Sequence, residues 1–108
     1  MVNSELERRR LVALAEIRQA HGTEDGEDSV DLFVAHHLEE LPQDYWLDHL
    51  GRPTPDSAAV IGLLAFRSSW GKGDLENFDF TLPGDVTDYV VSVHFDEKGE
   101  IDGISMES

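Results

Sequence analysis

The hydrophobic pattern of this chain changes its period once, near residue 64, and that change limits the folds open to it. Upstream, apolar residues recur three and four positions apart, as on one face of a helix, and Val30, Phe33 and Val34 are the clearest example. Downstream, apolar residues recur at every second position, most regularly over residues 89–95. Helices followed by a run of strands predict an α+β fold in which the helices pack on one face of an antiparallel sheet.

Four helices are predicted from the first pattern and its breaks. Ser4 and Glu7 have the spacing of a capping box, and Gly22 is a natural stop after the first helix. Thr54 and Pro55 resemble the cap and first residue of the last helix. The predicted helices cover about residues 5–20, 29–41, 43–50 and 55–63.

A meander of about four strands is predicted from the second pattern. Residues 64–70, 78–82 and 89–95 alternate, and turn residues separate them. In the last strand, residues 100–106, Ile101 and Ile104 fall out of register, so Gly103 is expected to mark a bulge. The order of the strands is not readable beyond the adjacency of consecutive ones. We expect a core that packs Tyr89, Val91, Val93 and Phe95 against Phe33, Leu38 and Leu41.

Length and composition place all 108 residues in one domain, 1–108, without disulfides or cysteine-based chemistry, since the chain has no cysteine. The longest apolar run, residues 58–66, is interrupted by Gly62 and is too short to span a membrane. The N-terminal segment lacks the apolar core of a signal peptide. We therefore expect a soluble, cytoplasmic protein.

The charge is strongly and unevenly acidic. Eight basic residues against 23 acidic ones give a net charge of −15. Residues 1–21 contain four arginines and three glutamates, so the rest of the chain carries −16. Such a field disfavours nucleic acid and anionic membranes and attracts a basic partner or a cation. The alternative is that the charge serves only solubility in a bacterial cytoplasm.

The strand and turn residues of the C-terminal half resemble an uncharacterised bacterial family, DUF2004. The residues that carry this resemblance are 78–82, 87–89, 93–101 and the closing 106–108. The resemblance covers roughly residues 55–108 and leaves out the first helix and the acidic loop after it. It implies no activity, cofactor or catalytic residue for this chain.

Histidines and carboxylates near residue 40 raise the possibility of a metal site. His36 and Glu40 are four apart on one helix face, and His49 could join them from the next helix with Asp44 or Asp48. His37 is adjacent to His36, however, whereas the helical zinc signature places two histidines four apart. The alternative is that His37 lines the core and His36 faces solvent. We therefore predict no metal and no cofactor.

The aromatic residues Tyr45, Trp46 and Trp70 can serve either the core or a contact surface. Because adjacent helical positions point in different directions, we expect Tyr45 or Trp46 to be exposed beside carboxylates, although both could lie under the helix–sheet junction. The predicted partner-binding residues are Glu39, Glu40, Asp44, Tyr45, Trp46 and Asp48.

Two hypotheses of function follow. The first is a non-catalytic binding protein for a basic partner, of the inhibitor or immunity type. The alternative is a metal-dependent or small-molecule enzyme that uses the region of His36, His37, Glu40 and His49. A self-associating domain without catalytic activity is a third possibility, and the sequence does not settle the oligomeric state.

Overall fold

The structure, a computed structural model, describes residues 2–107, with the side chains of residues 2, 3 and 25 left out. Ser108, the last residue of the DUF2004 resemblance, therefore lies outside the described residues. The predicted α+β fold is confirmed, with the helices first and the strands after them. The helices are α1 (Val2–Ala20), α2 (Val30–Glu40), α3 (Gln43–Leu50) and α4 (Ser57–Leu63), and the strands are β1 (Ala65–Trp70), β2 (Asn77–Thr81), β3 (Val90–Phe95) and β4 (Ile101–Glu107).

The four strands form one antiparallel sheet in the order β1-β2-β3-β4. Each strand thus pairs with its neighbour in sequence, which is the predicted meander. Turn residues make these short connections possible: Gly99 has a φ of 82°, which favours glycine, and the carboxylate of Asp96 accepts the backbone N–H of Lys98 and of Glu100.

The core lies between the helices and one face of the sheet. The predicted phase of β3 is confirmed, because Val91, Val93 and Phe95 are buried with Phe33 of α2, and His94 is exposed. Tyr89 is half-buried against this core, as are Leu38 and Leu41. Among residues 2–107, no helix has both the length and the apolar character to cross a membrane.

A bulge in β4 resolves the conflict that the sequence shows there. His94 pairs with Gly103, and the next residue, Phe95, pairs with Ile101, so Asp102 has no partner. The irregularity lies one residue before the predicted position at Gly103. It places Ile101 and Ile104 opposite core residues of β3, which is how two out-of-register isoleucines come to share one face.

Two predicted helix starts are wrong. α1 is already helical at Val2, so Ser4 lies inside it, and the carboxylate of Glu7 pairs with Arg10 instead of closing a capping box. α4 starts at Ser57 because Asp56 is the better cap: its Oδ1 accepts the backbone N–H of Ala59 at 2.9 Å.

Candidate functional site

The predicted aromatic contact patch on α3 is wrong, because both rings are buried. Tyr45 is 9% exposed and Trp46 is 1% exposed. The Tyr45 hydroxyl donates a hydrogen bond of 2.8 Å to the carbonyl of Pro83, so the loop before β3 covers one side of the helix. Trp46 faces the hydrophobic core on another side and borders a small depression with residues 53–55. Two neighbouring residues can both be buried because this short helix is covered from two directions.

The carboxylates of that patch remain on the surface. Glu39 and Glu40 at the end of α2 and Asp44 and Asp48 on α3 are all exposed. The large apolar side chain exposed among them is Leu47. This surface therefore offers negative charge without an aromatic anchor.

The histidines of the alternative hypothesis are distributed between different environments. His37 is buried, and its Nδ1 donates to the carbonyl of Phe33 at 2.7 Å. Its Nε2 must then accept from the hydroxyl of Thr87, at 2.8 Å. Burial, with a smaller contribution from His36, lowers the pKa of His37 more than the hydrogen bond to Phe33 and the nearby Glu40 raise it, which agrees with a neutral ring. The predicted core position of His37 is confirmed, and neither ring nitrogen is available to a metal.

The other members of the proposed metal cluster do not converge. His36 packs edge-on against the ring of Tyr89, while His49 lies against Tyr45, with ring centroids 4.4 Å apart. Within residues 2–107, no group of three His, Cys, Asp or Glu side chains is arranged to hold a metal ion.

The face of the sheet opposite the helices is a second candidate surface. It forms an open depression of about 580 Å³, and all residues that line it belong to the strands apart from Asp88. We call it the open sheet face. Two rows of side chains cross it at the register of the strands: Trp70, Asn77, His94 and Gly103 in one row, and Ser68, Asp79, Ser92 and Ser105 in the next.

A bulge in β1 places Trp70 on this face. Phe66 pairs with Phe80 on the core side, but Ser68 pairs with Asp79, so Arg67 has no partner and the alternation changes phase. Trp70 consequently lies on the opposite face from Phe66 and is 51% exposed. Its indole N–H donates to Asp79 Oδ2 at 3.1 Å. The sequence predicts this strand but contains no signal for the change of phase.

Negative charge predominates on the open sheet face. Asp79, Asp88 and Glu107 line it together with one basic side chain, Arg67. Asp79 Oδ1 is buried and has no hydrogen-bond partner among the described residues. An unpaired buried acceptor is costly, so a donor that reached this atom would be stabilising.

The open sheet face brings together side chains of catalytic types. Ser92, His94 and Asp79 all line it, but the described hydrogen bonds do not link them into a nucleophile, a base and an orienting group. An exposed indole beside a carboxylate, by contrast, is typical of a protein contact surface. Comparison with protein families, curated proteins and solved structures gives no match. The resemblance to DUF2004 therefore stays a prediction.

Proposed function

We propose that this chain is a non-catalytic binding protein that engages a basic protein partner, in the manner of an inhibitor or immunity protein, through the open sheet face. One observation carries the proposal: Trp70 is half-exposed in an acidic depression and is fixed to Asp79 by its indole N–H. Exposed tryptophans that become desolvated are frequent hot spots of protein interfaces.

The charge of the chain supports a basic partner. A net charge of −15 attracts cationic proteins over a distance and speeds their encounter, whereas desolvated anchors supply most of the binding free energy. The exposed carboxylates of α2 and α3, Glu40, Asp44 and Asp48 among them, fit the first role. Trp70 fits the second role, for which the sequence predicts Tyr45 or Trp46.

A cytoplasmic location belongs to the same proposal. It is supported by the absence of cysteine from the chain, which fits a reducing compartment. The acidic surface also disfavours nucleic acid and anionic membranes as partners, since both carry the same sign of charge.

The proposal is tested by capturing the partner and then measuring its affinity. The immobilised chain is exposed to lysate of its source organism, and captured proteins are identified by mass spectrometry. Each basic candidate is then purified and titrated calorimetrically against the wild type and against Trp70→Ala. We expect Trp70→Ala to weaken binding by about 2 kcal/mol or more.

The matched control is the double change Asp44→Asn and Asp48→Asn on α3. It removes two exposed charges and should slow association and reduce its salt dependence, with little change in the dissociation rate. A partner that binds Trp70→Ala as tightly as the wild type would contradict the proposed surface. Circular dichroism must show that each variant is folded.

The enzyme alternative has a separate test. Elemental analysis of protein purified without a histidine tag should find less than about a tenth of an equivalent of any transition metal, given that His37 has both nitrogens occupied. A stoichiometric metal would revive the alternative.

A further inference from the structure

We propose that Trp70 and Asp79 together form a receptor for an arginine side chain of the partner. This inference rests on the proposed function and gives the chemistry of the group that the open sheet face recognises. The guanidinium of the partner would stack on the exposed face of the Trp70 indole and donate hydrogen bonds to the Asp79 carboxylate.

The Asp79 carboxylate has unused acceptor capacity at the right place. Oδ2 already accepts the indole N–H of Trp70, whereas Oδ1 is buried without a partner among the described residues. Rotation about the terminal torsion of an aspartate is soft, so the carboxylate can turn to present its free lone pairs to the depression. A bound donor would thereby remove the cost of the unpaired oxygen.

A second polar group lines this face beside Trp70. Asn77 pairs with Trp70 in the register of the sheet, lines the depression and is only 4% exposed. Its side-chain carbonyl oxygen is a further acceptor for a guanidinium N–H.

The same chain already places arginines over aromatic rings on its other side. The guanidinium carbon of Arg9 lies 5.4 Å from the centroid of Phe95, and that of Arg10 lies 5.9 Å from Phe66. On the open sheet face the ring of Trp70, the best aromatic for such a contact, has no cation described over it.

Arg67 does not fill the site itself. It lines the same depression, but no ion pair between it and Asp79 is formed. Arg67 lines the open sheet face beside His94, and its permanent positive charge would repel an incoming guanidinium. Its removal is therefore expected to improve binding.

An arginine fits this pair better than a lysine does. A guanidinium is planar, weakly hydrated and carries five donors, so it stacks on an indole while it donates to a carboxylate. An ammonium group is a compact, strongly hydrated charge that uses only the attraction. Diffuse attraction by the acidic surface would bind arginine and lysine equally. A preference for arginine over lysine therefore indicates the specific receptor formed by Trp70 and Asp79.

The experiment compares the binding of tetra-arginine and tetra-lysine peptides by calorimetry at about 150 mM salt, where diffuse attraction is screened beyond about 8 Å. We expect tetra-arginine to bind at least about fivefold more tightly than tetra-lysine.

Asp79→Asn and Trp70→Leu should each reduce the affinity for tetra-arginine at least about fivefold. Trp70→Phe keeps a ring but loses the N–H, so its affinity should lie between that of the wild type and that of Trp70→Leu. The charge-matched control Asp48→Asn should change it less than about twofold, and Arg67→Gln should increase it.

Equal affinity for the two peptides, with equal effects of Asp79→Asn and Asp48→Asn, would overturn the arginine receptor. The proposed function would survive that result if a captured partner still depends on Trp70. Absence of tetra-arginine binding would also overturn the receptor. A captured basic partner that does not depend on Trp70, despite arginine-selective peptide binding, would instead contradict the proposed function alone.

Discussion

Two regions of this protein place a tryptophan among carboxylates, and the structure treats them in opposite ways. Trp46 on α3 stands between Asp44 and Asp48 in sequence, yet only 1% of it is exposed. Trp70 at the end of β1 pairs with Asp79 across the sheet and is 51% exposed. Carboxylates lie near both rings, so their presence does not decide which ring is available to a partner.

The two tryptophans differ in which distant segments of the chain pack against them. Trp46 belongs to the hydrophobic core and borders a small depression together with residues 53–55 and the end of α2. The loop before β3 adds a second cover to α3 through the carbonyl of Pro83. Among residues 2–107, no helix residue lines the open sheet face, and Trp70 stays accessible. Burial of an aromatic side chain here is a property of the tertiary structure and not of its own helix or strand.

The largest expected effect is on stability, and it separates the two tryptophans directly. Trp46→Ala should lower the free energy of unfolding by about 3–5 kcal/mol, because a fully buried ring leaves a cavity. Trp70→Ala should lower it by less than about 1 kcal/mol, because half of the ring and its single hydrogen bond already face solvent. Urea denaturation followed by circular dichroism measures both. Similar losses for the two variants would refute the comparison.

The second prediction concerns the contact that holds the loop before β3 onto the helices. His37 accepts from Thr87 only while its ring is neutral, and burial lowers its pKa. As the pH falls below about 6.5, where a free histidine titrates, His37 therefore becomes protonated in the unfolded chain before it does so in the folded protein. The contribution of the neutral His37 ring to the free energy of unfolding is fully present above that pH and is lost as the pH falls below it.

A pair of neighbouring histidines supplies the control. His37→Gln should be less stable than the wild type at pH 8 by about 1–3 kcal/mol, and the gap should narrow toward pH 5, measured by urea denaturation. His36→Gln removes only the smaller lowering of the His37 pKa that comes from His36, so it should reduce the slope of the wild type without abolishing it. Glu40 and His36 also influence His37, so the wild-type slope alone would not isolate it. A gap that stays constant with pH would contradict the neutral-ring assignment.

The two bulges show how far the sequence predicts the sheet. In β4, glycine at position 103 and two isoleucines out of phase give a visible signal, and the bulge lies one residue from the predicted place. In β1, Phe66, Ser68 and Trp70 alternate without interruption, so the sequence places Trp70 on the face of Phe66. The register shift between Phe66 and Ser68 reverses that placement. It depends on pairing with β2, which no local residue indicates.

Contacts between residues that are far apart in the chain are likewise not predictable from the sequence pattern. The helical period correctly places His37 in the core, but its partner Thr87 is 50 residues away. α3 is predicted with the correct bounds, but its cover by Pro83 comes from 38 residues away. Periodicity thus predicts elements and their buried faces, whereas the choice of surface depends on long-range contacts.

The third prediction tests the cover over α3 with a smaller change. Tyr45→Phe removes the hydroxyl that donates to Pro83 and should cost about 1 kcal/mol, measured by urea denaturation. The loss should be accompanied by faster hydrogen exchange in the loop before β3. Peptide binding at the open sheet face should change little, because Trp70 and Asp79 lie on β1 and β2 and only Asp88 of this loop lines the face. A coupled loss of binding would show that the two regions are not independent.

The smallest effect concerns charge, and it contrasts the first two turns of α1 with the rest of the chain. Three of the four described ion pairs lie within residues 5–10, where Glu5 and Glu7 contact Arg8, Arg9 and Arg10. The remaining described pair joins His21 and Asp31.

Most of the acidic residues therefore repel one another without a basic partner, and salt should screen that repulsion more than it weakens the pairs of α1. We expect the melting temperature to rise between low salt and about 0.5 M sodium chloride. The double change Asp44→Asn and Asp48→Asn should reduce that rise, whereas Glu7→Gln, which removes a paired charge, should not. A melting temperature that is constant or falls with salt would mean that the acidic residues are compensated locally, and the net charge would then be a poor guide to a basic partner.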